Sequence, residues 1–244
     1  MNTTIGSLIS SAVLGAPKVE EIVAAVKTYK FGDSTAQLSA MEELVVDSLP
    51  NADARKNIAA TLVGMLSSDA TADAKRFACR QLMICGGPES VAGIAPLLTS
   101  IELSNSARYA LERIQGPEAD QALLDALSKA DAKSQIGIVN SLGVRKTAAA
   151  VPAIAPLLLS KDPALADAAA AALGHIGGAD AVKALQGRVA GSARETAGHA
   201  LLEIADQLAT GGDAKGAEKI YKSVGGSPAI KNAAKRALEK GKKA

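Results

Sequence analysis

Residues 154–178 read IAPLLLSKDPALADAAAAALGHIGG, and this stretch decides the fold. It holds an apolar segment, a turn, and an alanine-rich helix closed by glycine. Asp162-Pro163 is a helix start, because Asp accepts from free backbone amides and Pro suits the first helical position. Ala172-Leu173-Gly174-His175-Ile176, then Gly177-Gly178, is a helix end. Glycine after a helix suits a left-handed C-cap.

The same pieces recur along the chain. Ile94-Ala95-Pro96-Leu97-Leu98 matches Ile154-Ala155-Pro156-Leu157-Leu158 at a distance of 60 residues. Ala110-Leu111-Glu112-Arg113-Ile114 matches 172–176 at a distance of 62. A copy midway runs through Leu124, Leu127 and Ser141-Leu142-Gly143-Val144. Further copies lie upstream at Leu82-Met83-Ile84-Cys85 and downstream at Ala200-Leu201-Leu202-Glu203-Ile204 and Ala237-Leu238. Each unit of about 30 residues is an apolar helix A, a turn, and a helix B. Pro96 and Pro156 lie inside helix A, where each deletes a backbone bond and bends the helix.

A hairpin that is apolar on both sides cannot bury itself, but stacked hairpins bury one another. The expected fold is all-α: a right-handed α-solenoid of about seven antiparallel hairpins, about 14 helices and no β-sheet. The hairpins pair 17–30 with 33–49, 52–67 with 70–85, 88–99 with 102–115, 117–129 with 131–145, 148–159 with 163–177, 179–189 with 192–209, and 213–224 with 227–241. The whole chain, 1–244, is expected to be one solenoid domain, with divergent hairpins over 17–85, regular repeats over 86–208 and a cap over 209–244.

Composition agrees. The chain has 244 residues, 2% aromatics and no Trp. Its net charge is +2. Nucleic acid is disfavoured as a partner, since neither a broad basic footprint nor aromatic stacking platforms are present. No apolar run of about 18 residues occurs, so no membrane span is expected. Ile5–Ala16 is apolar, but no basic residue precedes it, which argues against a secretory signal. Cytoplasmic location is the default expectation, with the mature part of an exported protein as the alternative.

Chemistry is sparse. Cys79 and Cys85 lie six apart on one helix, too far for a disulfide, and no Cys/His spacing suits zinc. His175 and His199 are the only histidines, and no nucleophile–base–orienter set surrounds either. Gly212-Asp213-Ala214-Lys215-Gly216 lacks the residues of a phosphate loop and reads as a turn. The basic tail (Lys231, Lys235, Arg236, Lys240, Lys242 and Lys243, against Glu239) reads as favourable charge at a helix C-terminus. We expect no catalytic, cofactor or metal site.

Helical geometry sorts the helix B positions. With the repeat leucine at zero, the positions at −4, −1 and +3 share one face and hold small or apolar residues. Ala78, Ala107, Ala169, Ala197 and Ala234 stand at −4. The opposite face meets −2 (Arg80, Tyr109, Asn140, Ala171, His199, Arg236) and −6 (Arg76, Asn105, Ile136, Asp167, Glu195, Asn232). Arg76, Arg80 and Arg108 are expected to form a basic cluster beside Tyr109, with Asp167 and Glu195 further along.

These repeats resemble the HEAT family, in its short bacterial variety related to phycobilisome-lyase repeats, best over 86–208. The stretch around Gly211-Gly212-Asp213, Ala217 and Tyr221 resembles a tetratricopeptide hairpin. The resemblance implies that the B helices line a concave groove. The expected partner-binding residues are Arg76, Arg80, Asn105, Arg108, Tyr109, Asn140, Asp167, Glu195 and His199. It also implies a non-catalytic, monomeric scaffold whose partner is a protein or an extended peptide. The alternatives are an accessory or lyase-like subunit of an enzyme complex, or a structural segment of a larger protein. HEAT units usually carry Arg seven residues before the leucine, paired with an Asp of the neighbouring turn. Here that slot holds Lys75, Ser104, Gln135, Ala166, Arg194 and Lys231, so an Asp–Arg ladder is expected to be interrupted.

Overall fold

A computed structural model describes residues 19–241. Ile5–Ala16, Lys242 and Lys243 lie outside these. Among the described residues there are fourteen α-helices and no strand. The chain divides into two compact units, one reaching to Ala126 and one starting at Leu127. Each is a stack of antiparallel helical hairpins, the construction of an α-solenoid.

The first unit contains α1 (Val19–Thr28), α2 (Ala36–Ser48), α3 (Ala52–Leu66), α4 (Ala72–Cys85), α5 (Val91–Ile94) and α6 (Ser104–Arg113). α7 (Pro117–Leu127) crosses the boundary. α3 begins where Asn51 Oδ1 accepts from the amides of Asp53 and Ala54, each at 3.0 Å. α4 begins where Thr71 Oγ1 accepts from Ala74 N at 3.1 Å. The same turn is hooked to the first hairpin: Thr71 N donates to Lys27 O at 3.0 Å, and Phe31 N donates to Asp73 Oδ2 at 3.0 Å. α4 is the centre of the unit, in contact with α2, α3 and α6. Phe77, Leu62, Met65, Leu82 and Leu111 are fully buried there, each worth about 1.5–3 kcal/mol of transfer free energy.

The second unit contains α8 (Ala132–Val144), α9 (Val151–Ile154), α10 (Pro163–Ile176), α11 (Gly178–Gln186), α12 (Arg194–Thr210), α13 (Ala214–Ser223) and α14 (Pro228–Gly241). Asp162 caps α10 as expected, its carboxylate accepting from Ala164 N at 2.9 Å with Pro163 first in the helix. α10 packs against both α8 and α12. It is apolar nearly all round, and Leu165, Ala166, Ala168–Ala170, Ala172 and Leu173 are buried, which suits a helix with neighbours on two sides.

The alanines and glycines explain how closely these helices stack. A methyl group on Gly143 would lie 2.8 Å from Ala172 Cα, and one on Gly174 would lie 2.7 Å from Ala200 Cβ. In both pairs a glycine just after one repeat leucine meets an alanine just before the next. Gly143 is therefore a packing residue inside α8 and no cap. The left-handed turn after α8 falls to Lys146, with φ 54°. Its amide donates to Gly143 O, and Thr147 N donates to Leu142 O at 3.0 Å, closing a Schellman motif.

Two local expectations need correction. The proline-bearing A helices are not bent α-helices. Val91–Ile94 and Val151–Ile154 are single α-turns that tighten into 3-10 segments, Ala95–Thr99 and Ala155–Leu159. Pro96 and Pro156 cannot donate to the carbonyl four residues back, and the chain changes to the tighter helix there. Gly86, after α4, has φ −67°, an ordinary conformation, whereas Gly116 and Gly177 do take positive φ, 111° and 67°.

Candidate functional site

The B helices are α4, α6, α8, α10, α12 and α14, and each buries the expected face. Ala78, Ala107, Ala169, Ala197 and Ala234 are all buried. On the opposite side, Arg80, Tyr109, Asn140 and His199 are exposed and Ala171 is half-buried. Two residues after each leucine, on the same side of the helix, stand Ile84, Arg113, Val144, His175 and Glu203, all exposed. Every B helix from α4 to α12 thus presents an open pair one turn apart: Arg80/Ile84, Tyr109/Arg113, Asn140/Val144, Ala171/His175 and His199/Glu203. The sequence reading missed the second member of each pair because it followed only −2 and −6. Two steps forward and two back differ by about 40° on a helix, which was the available signal. Ile84 is 54% exposed, Tyr109 50% and Val144 57%.

The expected basic cluster does not form. Arg108 is buried at 7% exposure, because three positions before Leu111 lies on the flank of the packed face. Its Nη2 donates to Asn105 Oδ1 at 2.7 Å, its Nη1 is 3.8 Å from Glu112 Oε1, and its guanidinium stacks 5.2 Å from the Tyr109 ring centroid. Arg108 is a strut beneath Tyr109, and Asn105 is committed to it. Arg76 is neutralised by Asp73 at 2.6 Å and reaches Glu102 at 3.8 Å. Arg80 keeps an exposed guanidinium, 5.7 Å from the buried Phe77 ring.

The −6 row serves a different purpose from the one expected. Besides Arg76–Glu102, Thr196 Oγ1 donates to Asp167 at 2.8 Å. Ser227 donates to Glu195 from its amide at 3.1 Å and its hydroxyl at 2.7 Å. Each bond runs from one B helix to the residues that open the next. They are polar staples between repeats where an Asp–Arg ladder would otherwise run, so Arg76, Asp167 and Glu195 are occupied by the stack itself.

Along α12, His199, Leu202, Glu203, Asp206, Gln207 and Thr210 line an open concavity of about 830 Å³. Gln207 donates to Glu203 at 3.3 Å, and the Tyr221 hydroxyl donates to Asp206. Burial, reinforced by Asp206, pushes the Tyr221 hydroxyl up to about 12. The two thiols are buried and free. Burial pushes Cys79 up to about 12 and Cys85 up to about 11, so neither carries a thiolate near neutrality. Among the described residues no group of three His, Cys, Asp or Glu side chains could hold a metal ion, and no helix is long and apolar enough to cross a membrane.

Residues 121–205 match the family model described as HEAT repeats. The match runs from within α7 into α12 and supports the HEAT resemblance over that region. No curated protein matches the chain. Among solved structures, the chain is similar to one titled as the crystal structure of an engineered protein, at 21% identity and a TM-score of 0.28, over 92% of this chain and 99% of that one.

Proposed function

We propose that the protein is a non-catalytic interaction scaffold that takes a protein ridge or an extended peptide on the open pairs of its B helices. One observation carries this reading. Ile84 and Tyr109 are large apolar side chains left half-exposed on the open pairs of α4 and α6, neighbouring B helices of the first unit. Scattered exposed apolar residues are ordinary, but open apolar side chains on the matching faces of two adjacent B helices are where a partner would gain most by covering them. Tyr109 is held by Arg108 before any partner arrives, so it gives up little freedom on binding. The buried thiols and the modest polar inventory fit a protein that works by shape. We read the chain as a cytoplasmic monomer of bacterial type whose hairpin of α13 and α14 is tetratricopeptide-like.

The test is capture from the source cell with the full chain as bait. A stoichiometric protein partner is expected with the natural sequence and is lost with Tyr109→Ala combined with Ile84→Asp. A partner retained equally by that variant would sink the reading.

A further inference from the structure

The second unit holds a cleft away from the open pairs. The end of α11, the loop residues 187–190 and the first turns of α12 enclose it, together with Leu159 from the preceding repeat and Ser223 and Gly225 from the following one. Its volume is about 540 Å³. Three repeats hold its walls in place. Ala190 N donates to Leu158 O at 2.8 Å, tying the loop to the 3-10 segment. Gln186 Nε2 donates to Ser223 Oγ at 2.6 Å, tying α11 to the end of α13.

The lining has two kinds of surface. Leu159, 51% exposed, and Val189 are apolar. Arg188 and Arg194 are the charged members, and no acidic residue lines the cleft. Both arginines are exposed, and neither pairs with a carboxylate among the described residues. This differs from Arg76 and Arg108, whose guanidinium groups are engaged within the stack. Two guanidinium groups beside an apolar wall match a carboxylate borne on an aliphatic neighbour, because the planar fork meets both carboxylate oxygens. The cleft is open to solvent on one side, so it accepts side chains of a chain that continues outside.

We propose that this cleft binds an acidic–aliphatic peptide segment of a partner protein, with its carboxylate on Arg188 and Arg194 and its aliphatic side chain on Leu159 and Val189. This is a second contact, independent of the open pairs and of Tyr109.

A dye-labelled peptide of alternating Leu and Glu, titrated against the full chain by fluorescence anisotropy, tests it. Saturable binding is expected, and a Leu–Gln peptide should bind about tenfold or more weakly, the loss of one charge-assisted contact. Arg188→Glu with Arg194→Glu, and separately Leu159→Asp, should each weaken binding to a similar degree. Arg80→Glu and Tyr109→Ala should leave it unchanged. All five residues are exposed, and unaltered thermal melts will show that the variants are folded. In amide spectra, the Gly187, Gly198 and Gly225 resonances should shift on adding the Leu–Glu peptide. No binding, equal binding of the Leu–Gln peptide, or an equal loss with Arg80→Glu would each overturn the proposal.

Discussion

Gly174 shows how much depends on one missing methyl group. A Cβ there would sit 2.7 Å from Ala200 Cβ and 3.2 Å from its Cα. Alanine is the better helix former by about 1 kcal/mol, so an isolated helix would gain from Gly174→Ala. In this stack the substitution should instead destabilise by about 1–3 kcal/mol through overpacking, measured by urea unfolding followed by circular dichroism. Adding Ala200→Gly moves the methyl group to the other side of the contact and should recover much of the loss; no recovery would mean that the clash lies elsewhere. The thiols give a second check. With Cys79 and Cys85 buried and their pKa values raised to about 12 and about 11, a thiol reagent at neutral pH should label neither in the native protein and both after denaturation. Fast native labelling of either would contradict the packing of α4. Residue-level roles were the least legible in the sequence. Arg108 and Tyr109 are adjacent letters, yet one is buried and the other open. Whether Asp167 meets solvent or Thr196 depends on where the next helix lies.

The elements themselves were largely legible, because their signals are local. Asp162-Pro163, Asn51 and Asp131 each stand before a run with helical periodicity, and each caps a helix. Asp131 accepts from the amides of Lys133 and Ser134 at 2.9 and 3.0 Å and from the Ser134 hydroxyl at 3.0 Å. Its carboxyl is held below the ordinary 3.8, mainly by the Ser134 amide and then by the Ser134 hydroxyl. A lowered folded-state pKa means that this contribution is present above the ordinary carboxylate value and is lost as pH falls through the lowered one. Asp131→Asn keeps the accepting oxygen without the charge. Its thermal stability should fall less steeply with acid than that of the natural protein, and parallel acid limbs would remove Asp131 from the account. The end of α8 was not legible, since its left-handed residue is Lys146. α12 ends in a similar turn with a glycine, Gly212, at φ 92°. Lys146→Gly should relieve the left-handed strain and stabilise by a few tenths to about 1 kcal/mol, read as a raised melting temperature. A lowered one would mean that the lysine side chain contributes more than its backbone costs.

At the scale of the whole molecule, stability is assembled from neighbours. Within each unit the main packing joins elements close in sequence: α3 with α4, α4 with α6, α8 with α10, and α10 with α12. Such stacks behave as sums of repeat and nearest-neighbour terms. Leu173→Ala, at a fully buried site in α10, should destabilise by about 2–5 kcal/mol. In native-state hydrogen exchange the loss of protection should be largest in α8, α10 and α12 and smallest in α2 and α3. Uniform loss along the chain would contradict the nearest-neighbour picture. This scale also shows why the fold was readable and the site only partly so. A buried row repeats its residue type in every unit, so periodicity exposes it. An open row has no such constraint, and Ile84, Arg113, Val144, His175 and Glu203 share nothing but their angle.

The paired glycine and alanine contacts also limit how the array could be rebuilt. α8 offers Gly143 to Ala172 of α10, and α10 offers Gly174 to Ala200 of α12, so a hairpin grafted between two of these helices would fit only if it brought an alanine to the glycine before it and a glycine to the alanine after it. A copy of the hairpin ending in α4 carries Met83 where Gly143 and Gly174 stand, and one ending in α6 carries Glu112. Neither could be spliced in without prising the neighbouring helices apart. Duplicating the hairpin of α10, with Gly174 facing forward and Ala172 facing back, is the extension that preserves the spacing, and lengthened versions of this protein should begin from that unit.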